Sequence, residues 1–388
     1  MKRNFVIFFA LILVFCFAHP CFGSGTGWQY LFNGQDLKGW KQFGEQAWSV
    51  QDGKIVVKAQ SKEVGWLVTE SEFGDFVLRF RFRWVGGDSG VQFRSHFEDG
   101  EMVGYQANLD AGRPFATGSL LELKGPRIAQ ESKYPAERLV KKGEWTEYEV
   151  SAMGDHIQLW VNGVKTVDVR EKGGAKRGFI ALQMFSEGDA TIEWTDIRIL
   201  EVPNQADWQP LFTGENLSGW RQVGDAVWTV EDGAIVGKSK GPGYGWLVSE
   251  NEYADFHFST RFRVPKGNSG IQFRSWQVGD MIHGFQADLA SDSNWISGHL
   301  YDQSERGVLA KTDRDFTNLI DWNGWNTYEI TAIGPKVQLF INGIQSLDYS
   351  DPTRLKKGIF AFQIHAGIVM ETDWKDIRII SFDTPEQK

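Results

Sequence analysis

Asp288, Tyr301 and His365 bring together a carboxylate, a phenol and an imidazole. Such a set can take a proton, donate to a developing oxyanion and return a proton to a leaving group. The first two lie in runs that alternate apolar and polar residues: 266–275 reads KGNSGIQFRS, 284–290 reads GFQADLA and 298–306 reads GHLYDQSER. Ile271 and Phe273 point one way, Gln272 and Arg274 the other. Phe285, Ala287 and Leu289 likewise oppose Gln286 and Asp288. Strict period-two alternation predicts strands buried on one face. The exposed face is then expected to carry Gln272, Arg274, Gln286 and Asp288. These groups suit a polyhydroxylated ligand, because each gives or takes paired hydrogen bonds. Tyr301 and Asp302 follow in the same stretch. Ala361, Gln363 and His365 alternate with Phe360, Phe362 and Ile364, so His365 shares a polar face with Gln363. An imidazole titrating near neutrality suits a base or a metal ligand.

Each residue also has a plainer reading. His365 can be a surface histidine on a strand, Arg274 can pair with Asp288, and Tyr301 can be a half-buried strand aromatic. Trp295 can stack on a sugar ring or, as one of 17 Trp, belong to a core. His365 and Asp288 are also a common donor pair for a divalent metal. No short ligand motif accompanies them, and no cofactor motif is evident.

The elements that must position these residues occur twice. Residues 28–200 align with 208–380 at a constant offset of 180. Leu31-Phe32-Asn33-Gly34 matches Leu211-Phe212-Thr213-Gly214, Gly65-Trp66-Leu67-Val68 matches Gly245-Trp246-Leu247-Val248, and Asp196-Ile197-Arg198-Ile199 matches Asp376-Ile377-Arg378-Ile379. A period this long is a duplicated domain, since each copy can bury its own core. The linker, 201–207, is short and polar. Phe76, Leu78, Phe80, Phe82 and Trp84 alternate with Val77, Arg79, Arg81 and Arg83. Asn162-Gly163 and Asp52-Gly53 separate strand patterns and predict tight hairpins. With no βαβ alternation and no phosphate loop, the architecture expected is all-β, two β-sandwiches of antiparallel sheets. Segments 128–143 and 308–324 have no clear period and read as long loops with room for a helical turn. The Arg79, Arg81, Arg83 stripe reads as a solvated or salt-bridged sheet face, kept in the second copy only as Arg261 and Arg263.

The formal charge of −9 argues against a nucleic-acid partner held by phosphate neutralisation. Lys2 and Arg3 precede an apolar run at 5–18, which fits a secretory signal peptide, expected at 1–23, and is short for a membrane span. Both cysteines, Cys16 and Cys21, lie in this leader, so the body carries no disulfide. Cys21 as a lipidated N-terminus is the less favoured reading, because His19 and Pro20 poorly match the small residues a lipoprotein signal wants. The expected location is periplasmic or extracellular.

Both copies resemble the 3-keto-disaccharide hydrolase domain. The matching pieces are LFNG and its counterpart (Leu31, Leu211), GWLV (Gly65, Gly245), SG.QFRS (Ser89, Ser269), GYQAN and GFQAD (Gly104, Gly284), and the closing DIRI strand. Their order over about 170 residues, twice, carries the resemblance. It implies two tandem concanavalin-like jelly rolls, a carbohydrate-derived ligand on a concave face, and cleavage of glycosides already oxidised at C3. The second copy has Leu300-Tyr301-Asp302 and Gln363-Ile364-His365, similar to the family's pieces; the first has Leu120-Leu121-Glu122 and Gln183-Met184-Phe185. Asn108 stands opposite Asp288, and Phe115 opposite Trp295. The second copy is therefore expected to carry the chemistry, with His365, Asp288 and Tyr301 catalytic. Gln272, Arg274, Gln286, Trp295, Asp302 and Gln363 are expected to bind substrate, and the first copy to hold a degenerate site. A ketone at C3 acidifies the C2 hydrogen, so one base can drive elimination of the group at C1, whereas direct hydrolysis needs two flanking carboxyls. The competing expectation is a non-catalytic carbohydrate-binding protein of two modules.

Overall fold

The computed structural model describes residues 27–110, 113–123, 127–185, 190–202, 206–291, 297–353 and 356–382. The expected leader lies outside the described residues. Each copy is a β-sandwich of one eight-stranded and one seven-stranded antiparallel sheet among the described residues. In the second copy the seven-stranded sheet runs in the order Trp220–Gly224, Gly245–Tyr253, Gly358–Ile364, Asn268–Val278, Met281–Ala290, Leu300–Gln303 and Gly307–Ala310. The first copy repeats that order with its counterparts, from Trp40–Phe43 to Arg127–Gln130. The chain is thus two tandem jelly-roll sandwiches. No helix among the described residues is long and apolar enough to cross a membrane.

Alternation builds the strands as expected. Phe76, Leu78, Phe80 and Phe82 enter one core cluster, and Phe256, Phe258 and Phe262 enter the other. Trp374 stacks on Phe362 with ring centroids 4.3 Å apart, joining the two sheets of the second copy. The hairpins close on Asp52-Gly53, Asn162-Gly163, Asp232-Gly233 and Asn342-Gly343, all with positive φ, the backbone a two-residue hairpin of matching twist demands. The two segments without a clear period keep the expected helical turn but are not loops throughout. They contribute edge strands, Arg127–Gln130 and Gly307–Ala310, and the first also forms the one-turn helix Ala136–Leu139. Edge strands of four residues are too short to display a period.

The eight-stranded sheets pack outer face to outer face. Trp28, Val77, Met153, Leu200, Phe340 and Ile380 form a cluster that draws on both copies. Arg198 reaches the Glu329 carboxylate of the other copy at 3.2 Å, and its counterpart Arg378 reaches Glu149 at 2.9 Å. Each guanidinium also lies over aromatic rings, Arg198 at 4.0 Å from Phe340 and Arg378 at 3.9 Å from Trp160. The contact is isologous, like that of a two-fold dimer built within one chain. Arg79 takes the salt-bridged of the two readings of its stripe, not the solvated one. It is buried here, pairs with Glu149 at 2.6 Å and Glu147 at 3.1 Å, and crosses to Glu329. Because the eight-stranded sheets meet, the outer faces of the two seven-stranded sheets look away from one another.

Candidate functional site

The outer face of the seven-stranded sheet in the second copy carries a row of hydrogen-bonded amides. Gln272 and Gln286 are cross-strand partners, and Gln272 Nε2 donates to Gln286 Oε1 at 2.6 Å. Gln286 Nε2 donates to Asp288 Oδ1 at 2.8 Å and to Gln363 Oε1 at 3.3 Å. The structure thus brings Gln272, Gln286, Gln363 and Asp288 together. It differs from expectation in burial, for all four are buried, Asp288 at 4% exposure. Burial with a single donor amide beside it pushes the Asp288 carboxyl up to about 7.

Tyr301 is half-buried and is the register partner of Gln286 on the neighbouring strand. Burial raises its pKa, and the negative charge of Asp288 raises it further. His365 follows Gln363 by two residues, just past the end of its strand. Its Nδ1–H donates to the Ala366 carbonyl at 2.8 Å, since a carbonyl can only accept, which leaves Nε2 to meet the Tyr244 hydroxyl at 3.5 Å. Tyr244 stacks on Trp246, and Trp246 is the register partner of Gln363. Phenol and imidazole therefore flank the amide row.

Arg274 is not on this face. A β-bulge shifts the register between Phe273 and Trp276, and Arg274 takes a φ of 46°. Its guanidinium is turned aside and buried, donating to the carbonyls of Ala254 and Gly334 and to Asp255 at 2.8 Å. It pairs with Asp255, not Asp288. Arg94 repeats the arrangement with Asp75 in the first copy, which marks both as structural. Asp302 is likewise corrected. It opposes Phe285, a core residue, so alternation turns it from Tyr301's face. It is fully buried and held by Arg306 at 2.5 Å, which also binds Asp351. Trp295 lies outside the described residues. Among the described residues no group of three or more His, Cys, Asp or Glu is placed to hold a metal ion.

Sequence reasoning missed two features. His299 is buried, its carbonyl accepts the Asp288 N–H at 3.1 Å, and its Nε2 has no partner among the described residues. Its counterpart is Ser119, so the signal lay in the same internal comparison that singled out Asp288. The first copy keeps the amide pair, Gln92 Nε2 to Gln106 Oε1 at 2.7 Å, and adds carboxylates four residues away along each strand. Asp88 and Asp110 stand where the second copy has Asn268 and Ala290, and Arg113 contacts both. Burial and the neighbouring Asp110 push Asp88 up to about 6.

A family model described as the 3-keto-alpha-glucoside-1,2-lyase-like domain matches the chain twice, at residues 27–200 and 207–380. No match was found among curated proteins. Among solved structures, a candidate glycosyl hydrolase from Parabacteroides distasonis is 23% identical, with 45% of this chain and 100% of that chain covered and a TM-score of 0.36. The carbohydrate-binding module CBM66 from Bacillus subtilis is 17% identical, covering 44% of this chain and 99% of its own at a TM-score of 0.34. A Bacillus subtilis protein with a galectin-like fold is 13% identical, covering 45% and 94% at a TM-score of 0.38.

Proposed function

The chain belongs to the family of 3-keto-alpha-glucoside-1,2-lyase-like domains, and from that premise we propose that its second domain cleaves 3-keto-glycosides by removing the proton at C2 and expelling the aglycone from C1. The observation that carries the reading is Asp288. It is a buried carboxyl with a pKa near 7, beside a phenol, in the one copy that also holds the imidazole. A base is most effective when it titrates near the working pH.

In this mechanism ionised Asp288 takes the C2 proton and the C2–C3 enolate forms, with its oxygen accepting from the Tyr301 hydroxyl. Collapse of the enolate breaks the C1–O bond. Imidazolium His365, its Nδ1–H held by the Ala366 carbonyl, gives its Nε2 proton to Tyr244 as the Tyr244 hydroxyl proton passes to the leaving oxygen, and the imidazole is reprotonated from solvent. The products are the free aglycone and a C1–C2 enone. Water adding across that double bond gives the 3-keto sugar, for net hydrolysis. Gln272, Gln286 and Gln363 hold the ring hydroxyls and orient Asp288. The protein acts after export, in the periplasm or outside the cell, as the leader at 1–23 suggests.

A second reading, sugar binding without cleavage, is favoured for the first domain. It retains the Gln92–Gln106 pair but has Asn108, Leu121 and Phe185 at the positions of the base, the phenol and the imidazole. The test is aglycone release from an aryl 3-keto-glucoside by the chain beginning at Ser24, with and without chelator, beside Asp288→Asn and His365→Ala. Release by the parent and loss in both variants supports the second-domain enzyme. Tight binding of an unoxidised oligosaccharide with no release from any 3-keto substrate would replace it by the binding reading.

A further inference from the structure

The back-to-back packing of the domains leaves a cleft of about 630 Å3 along one side of their junction, far in the fold from the amide row. Arg138 and Lys165 of the first domain line it together with Arg261, Lys375 and Arg378 of the second, Arg378 being paired with Glu149 at 2.9 Å. Among the described residues Asp376 is the one lining carboxylate. Arg261 leans towards Asp376 at 3.7 Å, and Lys165 pairs at the rim with Asp168 at 2.7 Å. Arg138 and Lys375 have no ion pair among the described residues. Arg138 rests on the Tyr134 ring at 5.0 Å and Lys375 on the Trp325 ring at 4.0 Å. Burial and the neighbouring Arg261 depress the pKa of Lys375, so an anion placed between these cations would relieve repulsion already present. A chain of net charge −9 has gathered five cations around one opening.

The duplication supplies an internal control. The pseudo-two-fold axis relates each side of the junction to the other, so a second cleft is expected opposite the first. There the Tyr30 hydroxyl donates to Gln345 Oε1 at 3.2 Å and bridges the place. On the open side Pro210 stands at the position of Tyr30 and Lys165 at that of Gln345, and a proline cannot make that bond. Three more positions differ in charge: Arg138 has the counterpart Asn318, Lys375 the counterpart Thr195, and the lining Tyr134 the counterpart Arg314. The side with the cleft has three cations where the other side has neutral residues and lacks Arg314, a net gain of two.

We propose that this cleft binds an anionic saccharide, a short chain bearing carboxylate or sulfate groups, at a site separate from Asp288. The volume suits a ligand of about two or three rings. The negative charge follows from the cleft itself. The saccharide class rests on the carbohydrate character of the family, and no part of the proposal depends on cleavage at Asp288. Arg138 and Arg261 offer forked donors suited to a planar carboxylate, and Lys165 and Lys375 offer point charges.

The test is calorimetry on the chain beginning at Ser24 with trigalacturonate, a sulfated disaccharide and neutral maltotriose, at low salt and at 0.5 M salt. Each variant takes the residue of the opposite side: Lys165→Gln, Lys375→Thr, and the double change Pro210→Tyr with Lys165→Gln. The acidic chains are expected to bind and maltotriose not. Each single variant should weaken them about tenfold, and high salt should weaken them further. The double variant should abolish binding by restoring the bridge, and all variants should release aglycone from a 3-keto substrate as the parent does. Equal binding of maltotriose, variants that bind as the parent does, or competition by free sulfate as strong as by the sulfated disaccharide would each overturn the proposal.

Discussion

Asp288 and Asn108 stand at the same point of equivalent strands, and each accepts a hydrogen bond at 2.8 Å from the glutamine two residues before it. The two sites are nearly isosteric and differ in whether the group can hold and release a proton. Asp288→Asn should therefore fold normally and lose about 10²- to 10⁴-fold in turnover of a 3-keto-glycoside. The converse change, Asn108→Asp, should create no activity in the first domain, which has Leu121 and Phe185 where the second has Tyr301 and His365. Single-turnover rates of the two variants check both halves. Activity gained by Asn108→Asp would show that the base alone suffices.

The same pair predicts a pH-dependent stability. The folded-state pKa of Asp288 is about 7 against an ordinary value of 3.8, so the folded chain holds this proton more tightly than the unfolded one. Below pH 3.8 the group is protonated in both states and costs nothing. As pH rises from there towards 7 the unfolded chain ionises first, and stability falls until the folded group has ionised too. Three pKa units correspond to about 4 kcal/mol at most. Asp288→Asn should thus stabilise the fold at pH 8 and make little difference at pH 4, read as a denaturation midpoint at each pH.

For catalysis the sign is opposite. Asp288 must be ionised to act, so kcat/KM should rise tenfold per pH unit below about 7 and level above it. Burial and Asp288 raise the pKa of Tyr301 above its usual 10, so the phenol stays a donor throughout the plateau. A profile flat from pH 5 to 8 would remove Asp288 from the role of base.

Arg274 separates a structural role from a site role. Its guanidinium joins Ala254, Gly334 and Asp255 across the end of the sandwich. Arg274→Ala should cost about 3 kcal/mol of stability by taking a charged donor from Asp255 and from two buried carbonyls. The kcat per folded molecule should stay within about threefold of the parent, because positioned groups of the site are untouched. Activity normalised to folded fraction measures it, and a selective rise in KM would return Arg274 to the site.

Period-two alternation made the strands, the hairpins and the amide row legible, because all three follow from local rules. The repeat offset made Asp288, Tyr301 and His365 stand out, because the duplication carries its own comparison. Arg274 was misread because a bulge with φ of 46° breaks the period, and nothing in QFRS announces the bulge. Asp302 was misread because it continues the polar run after Tyr301, although the same period-two rule puts it on Phe285's side. The burial of the amide row was not legible, since alternation tells which face a residue is on and not what covers that face. Arg79 was visible as part of a stripe, but the partner that buries it is the other half of the chain, and no local pattern encodes the contact with Glu329.

That contact carries the last prediction. Arg79 and Glu329 are both fully buried, and Glu329 is shared between Arg79 and Arg198. Burial favours the neutral form of Glu329, and the two arginines oppose it. The counterpart of Arg79 is Ser259, so the domain junction holds one guanidinium beyond its two-fold pattern. Removing it as Arg79→Ala leaves Glu147, Glu149 and Glu329 with less positive charge among them, at a cost of about 3–5 kcal/mol. The folded-state pKa of Glu329 then rises further, so the deficit should be largest at pH 8 and shrink towards pH 5. Adding Glu329→Gln should recover much of the loss, since the unpaired charge goes with it. Calorimetric unfolding should change from one transition in the parent to two in Arg79→Ala at pH 8, as the sandwiches uncouple while each keeps its own core. A single transition at the parent's temperature would mean that the Trp28 and Phe340 cluster holds the junction without the ionic network.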